Sequence, residues 1–257
     1  MVSVRVQAID TYSQGWSEEE DSSASSIQST LWSVILRTRD PRDPNRIAAL
    51  LKLSTQFSIA LYAYARSQGA TPGEARDSVQ GFIGHVRDGK LTQGTGHLWK
   101  RLRSFLLRAF DDYFESHPAR TPEPGAEALH VPETREFAEA ESWYGPDPSR
   151  AQDPEKSFNR AWARAILVQS HAVLQKELAS LHGASAAEVI AAEVSSVERR
   201  PFNDQLAGKV GLSVGEILQI LKDSRRRLRE IITSTLRETV STMGDAETEF
   251  WDLFRSV

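Results

Sequence analysis

Apolar residues recur at intervals of three and four along most of this chain, a periodicity that builds helices, and no strand is expected. The helical stripes fall into two sets. Between them, prolines at 118, 122, 124, 132, 146, 148 and 154 interrupt a stretch in which no apolar period survives. The expectation is an all-α protein with two small helical domains, 29–117 and 156–257, joined by a long acidic, proline-rich linker over 118–155. At 257 residues and 40% hydrophobic content, the chain is long enough to give each domain its own core. Such a linker exceeds ordinary loop length and is expected to be mobile or held by a partner. Residues 1–28, with Glu18-Glu19-Glu20-Asp21 and a serine-rich run, hold too little apolar surface to order themselves and read as a mobile tail.

In the first domain, Ser29 to Leu36 reads as a short docking helix, stopped by Asp40-Pro41 and Asp43-Pro44. Ile47, Leu50, Leu51, Phe57, Leu61 and Tyr64 mark one helix ending near Gly69. Thr71-Pro72-Gly73-Glu74 opens the next with an N-cap hydroxyl, a first-turn proline and a reciprocal glutamate, and Ala75, Val79, Phe82, Ile83 and Val86 are its buried stripe. Leu98, Leu102, Phe105, Leu106 and Ala109 mark a third helix after a glycine-rich connection.

The second domain opens with a long helix from Phe158 to Leu181, stopped at Gly183, and a helix over Ala187 to Val197. A short helix over Pro201 to Gly208 follows, then a turn at Gly211-Leu212 and a capping box at Ser213-Val214-Gly215-Glu216. The helix that starts there buries Ile217, Ile220, Leu221, Leu228, Ile231 and Ile232. Short helix, glycine turn and long helix is the layout of a helix-turn-helix. Phe250, Leu253 and Phe254 suggest a small terminal helix.

The formal net charge of -4 hides opposed blocks. Ser29 to Phe110 holds 13 Lys/Arg against 5 Asp/Glu, Asp111 to Glu155 holds 3 against 12, and Arg199 to Arg237 holds 9 against 4. Two basic lobes separated by an acidic tether fit a protein that meets nucleic acid. On the helix beginning at Ser213, the outward face carries Val214, Gly215, Leu218, Gln219 and Lys222, where a recognition helix presents residues to base edges. Arg225, Arg226, Arg227 and Arg229 follow, placed for phosphates or, equally, for solvating a helix C-terminus. Lys100, Arg101, Arg103 and Arg108 form a basic flank on the third helix that could lie along a phosphate backbone. Acidic substitution of Arg101 and Arg103 is therefore expected to weaken DNA binding with the fold intact.

No enzyme signature competes. The six histidines stand far apart in sequence without a metal pair, there is no cysteine and no Walker-type phosphate loop, so catalysis, a metal and a cofactor are not expected. No apolar run approaches transmembrane length and Met1 to Asp10 lacks a signal-peptide pattern, so no membrane insertion is expected and the cytoplasm is the expected compartment.

Several stretches resemble extracytoplasmic-function-type RNA polymerase sigma factors, in particular the expanded groups of planctomycete-like bacteria. They are Leu61-Tyr62-Ala63-Tyr64-Ala65-Arg66, the run from Gly69 to Phe82, and Leu102-Arg103-Ser104-Phe105-Leu106-Leu107, with Leu31 to Leu36, Phe158 to Leu167 and Pro201 to Glu230 in matching order. The resemblance covers most of the chain outside the tail and linker. It implies a non-enzymatic subunit that binds core RNA polymerase and directs it to promoter DNA. The helix holding Asp77, Val79, Gln80 and Phe82 would contact the polymerase clamp, and the helix from Arg101 to Phe114 would help melt the promoter element nearest the start site. The helix from Ser213 would read the upstream element, the acidic linker would occupy the RNA channel, and an anti-sigma protein is a further candidate partner.

The chain also departs from that pattern. Ser78 replaces a usual hydrophobic residue, Thr121-Pro122-Glu123-Pro124 replaces a basic stretch, and Glu216 and Asp223 stand in the recognition helix. Asp111, Asp112 and Glu115 would repel phosphates, which leaves promoter melting the least supported activity. The alternative expectation is a degenerate sigma-like adaptor that keeps protein contacts without promoter recognition.

Overall fold

A computed structural model describes residues 30–37, 40–91, 101–117, 137, 140–141, 153–194 and 203–255. The expected tail, nearly all of the expected linker, the glycine-rich connection with Lys100, and Pro201 with Phe202 lie outside the described residues.

Among the described residues the chain is helical, with one isolated β-bridge between Arg101 and Val240. The helices are α1 (Leu31–Arg37), α2 (Pro44–Gln56), α3 (Ser58–Ser67), α4 (Pro72–Arg87), α5 (Leu102–Ser116), α6 (Pro154–His182), α7 (Ala184–Val194), α8 (Asn203–Val210), α9 (Val214–Arg237) and α10 (Met243–Arg255). No single helix among them is long and apolar enough to cross a membrane.

The described residues divide into two compact units, one made of 30–165 with 236–255, the other of 166–235. The division differs from the expected boundaries. Residues 156–165 and 236–255, expected in the second domain, pack in the first unit, so α6 and α9 each contribute to both. The stripe of a helix gives no sign of which partner its turns will meet.

In the first unit the caps follow local chemistry. The Asp43 carboxylate accepts from the backbone N–H groups of Asn45 and Arg46 at 2.8 and 3.1 Å, with Pro44 at the first helical position. The Thr71 hydroxyl accepts from the Glu74 N–H at 3.3 Å, and Glu74 accepts from the Thr71 N–H at 2.7 Å, the expected capping box. The single helix expected over 47–69 is instead two, bent by 61° at Phe57. No proline or glycine marks that bend. Phe57 is fully buried and its ring stacks on Trp162 at 3.6 Å, a contact with a residue 105 positions away that no local pattern encodes.

Trp32, Ile35, Leu50, Leu53, Val79, Phe82, Phe105, Phe110, Phe158 and Trp162 form the interior of this unit. Glu238 and Thr239, in the turn after α9, satisfy N–H groups that helix starts leave without intrahelical partners. The Glu238 carboxylate and carbonyl accept from Leu31 and Trp32 at 2.9 and 3.2 Å, and the Thr239 carbonyl accepts from Leu102 at 2.8 Å. Two of the histidines, distant in sequence, also meet here: His117 stacks on Tyr113 at 4.3 Å and His85 packs against the same ring at 5.4 Å.

In the second unit, Leu174 and Leu178 of α6, Ala187, Ile190, Ala191 and Val194 of α7, Ala207 of α8 and Ile217, Leu221 and Ile231 of α9 share one core. Gly183 and Gly211 take positive φ, 82° and 75°, where a Cβ would be strained, and each ends a helix.

Candidate nucleic-acid interface

The connection from α8 to α9 is short. Val210 ends α8, Gly211 turns the chain, and its N–H and that of Leu212 both donate to the Ala207 carbonyl at 2.8 and 3.1 Å. Ser213 caps α9, its hydroxyl accepting from the Glu216 N–H at 3.3 Å while the Glu216 carboxylate accepts from the Ser213 N–H at 2.8 Å. The Ser213 hydroxyl and backbone hold the Glu216 carboxyl below its usual range. Glu216 is thereby occupied with the cap.

The apolar side of α9 faces its own unit: Ile217 is fully buried, Leu221 and Ile231 nearly so, with Ile220 and Leu228 packed partly against them. Ser213, Val214, Gly215, Leu218, Gln219, Lys222, Arg225 and Arg226 are all exposed. The structure thus brings the residues expected on the outward face of this helix onto one surface. It also sorts the cations. Arg227 forms a two-pronged pair with Glu177 of α6, both contacts at 2.8 Å, plus a contact to Glu230 at 3.0 Å. Arg226 reaches Asp223 at 3.1 Å, and Gln219 donates to the same carboxylate at 2.8 Å. The 50-residue separation of Arg227 from Glu177 explains why sequence alone does not distinguish this arginine from its neighbours.

The basic flank expected on α5 is not free. Arg101 pairs with Glu249 at 3.1 Å and Asp252 at 2.5 Å, and Arg103 pairs with Glu249 at 2.6 Å and also donates to Asn159. The Arg103 side chain keeps 11% of its surface and Glu249 none. The two arginines expected to meet DNA are thus held in ion pairs within the first unit, because α10 supplies carboxylates that periodicity could not locate. Arg108 is exposed but pairs with Asp111 at 3.4 Å and Asp112 at 2.9 Å on its own helix. Lys100 lies outside the described residues.

Of the residues expected to meet polymerase, Val79 and Phe82 are fully buried in the first unit, since they belong to the apolar stripe of α4. Asp77 is exposed and Gln80 half-buried. Only these two can offer side chains to a partner. Elsewhere in the first unit, a cleft of about 460 Å³ is lined by Tyr64, Gln68, Arg103, Arg108, Asp111 and Glu155, a mixture of charges without a dominant sign. Tyr64 donates to Asp111 there, and burial first, then this hydrogen bond, pushes its phenol up to about 12.

Among the described residues no cluster of three or more His, Cys, Asp or Glu could hold a metal ion. Comparison with protein families, with curated proteins and with solved structures finds no significant match.

Proposed function

We propose that this chain is a sigma-type transcription initiation factor that binds core RNA polymerase and contacts promoter DNA through α8 and α9 acting as a helix-turn-helix. The observation that carries the reading is the sorting of side chains on α9. Its N-terminal outward face offers neutral side chains of the size that reach base edges, and Lys222, Arg225 and Arg226 follow where phosphates would flank a groove. The acidic residues of the same helix are engaged locally: Glu216 in the cap, Asp223 with Gln219 and Arg226, and Glu230 with Arg227. The sequence resemblance supports the polymerase partner and the cytoplasmic setting, with Asp77 and Gln80 as the contact residues left accessible.

A second reading, an adaptor that binds polymerase without promoter recognition, is favoured by one observation. Arg101 and Arg103 are engaged by Glu249 and Asp252, so the α5 flank offers phosphates little. Reconstitution with bacterial core RNA polymerase and genomic DNA separates the two. The factor reading expects discrete transcript starts that disappear with Arg225→Gln and Arg226→Gln. Polymerase binding without such starts selects the adaptor, and absence of polymerase binding removes both.

A further inference from the structure

Two side chains on the outward face of α9 are neither polar nor buried. Val214 keeps 36% of its surface exposed and Leu218 48%, and their spacing of four residues puts them side by side on the helix. Exposing them costs solvation free energy, and the core of their unit makes no use of them. Three features of the same face restrict what could cover the pair. Lys222, Arg225 and Arg226 continue along it against Asp223, which pairs with Arg226 at 3.1 Å, and the surplus positive charge favours an anionic occupant. Gly215, beside Val214, has open space where a Cβ would stand, so an approaching surface meets bare backbone there. Among the described residues of α9 these are the two exposed large apolar side chains, too few to insert into a lipid surface, which requires a long apolar face.

An anionic surface that presents small apolar groups at a matching interval is the major groove of duplex DNA at thymine. Thymine alone among the four bases carries a C5-methyl group there. Positions four apart on a helix are separated by about 6 Å along its axis. That is close to two base-pair steps of about 3.4 Å each.

We infer that Val214 and Leu218 read thymine, packing against the C5-methyl groups of nearby A·T pairs while Lys222, Arg225 and Arg226 hold the flanking phosphates. The inference rests on the DNA-binding reading above and adds the base it selects. Cytosine at the same positions carries no C5-methyl group for the two side chains to pack on, and is disfavoured.

The test uses the full chain and the duplex it most enriches from a random pool, prepared with thymine and with uracil in its place. Uracil keeps the Watson–Crick edge and removes only the methyl. Each lost methyl contact should weaken binding about fourfold, so about fifteenfold for two. Val214→Ala with Leu218→Ala, both at exposed positions, should narrow the difference between the two duplexes, the shorter side chains reaching the methyls less well. Equal affinity of the unaltered chain for thymine and uracil duplexes overturns the inference and leaves DNA binding standing. So does a thymine preference that the double substitution leaves unchanged. A pool from which no sequence is enriched overturns both readings together.

Discussion

Glu249 of α10 is completely buried against Arg103 of α5, its carboxylate 2.6 Å from the guanidinium across 146 residues of sequence. The same carboxylate stands 3.1 Å from Arg101. Removing one member of such a cluster strands the rest in a poorly solvated site. Arg103→Ala should therefore destabilise the chain by about 3 kcal/mol in urea unfolding. Arg101→Glu with Arg103→Glu should compromise the fold itself, in contrast to the sequence expectation. A double substitution with unchanged unfolding midpoint would show that α10 does not need these pairs.

Glu141 gives the first unit an acid-sensitive contact. Burial opposes its ionisation, but hydrogen bonds from Arg66 at 2.7 Å and Tyr62 at 2.5 Å, with the Arg66 charge, hold its carboxyl below the usual range. A folded-state value below the unfolded one, about 4.3, means stability present above that pH and lost as pH falls through the folded value. Thermal unfolding followed downward from pH 6 should show the loss beginning near the unfolded value, and Glu141→Gln should flatten that part of the profile.

The arginines of α9 should separate by role. Arg225→Gln with Arg226→Gln should weaken duplex binding and lower the slope of log affinity against log salt by about 2, one unit for each phosphate contact. Arg227→Gln should leave that slope unchanged and cost under about 1 kcal/mol of stability, because its pair with Glu177 is solvent-exposed. Titration of duplex binding at several salt concentrations reads both effects.

Two glycines near the turn should respond in opposite directions. Gly211→Ala forces a Cβ into positive φ and should cost about 1 kcal/mol. Gly215→Ala meets open space at an ordinary helical position and should add about 0.5 kcal/mol while weakening DNA binding. Melting temperature and duplex affinity measured on the same two variants decide the matter.

The amino-acid sequence by itself determined the helical character and the places where the chain stops: Thr71 with Glu74, Gly183, Gly211 and Ser213 with Glu216 act over three or four residues, and their caps and turns form wherever those neighbours occur. It also determined the outward face of α9, because an apolar stripe fixes its own opposite side. Only the tertiary structure decided the bend at Phe57, the assignment of residues 236–255 to the first unit, and which arginines are engaged. Those features depend on partners 50 to 207 residues away, Glu177 for Arg227 and Glu238 for Leu31 at the extremes. A charge written in a sequence has a sign but no neighbour until the chain has folded around it.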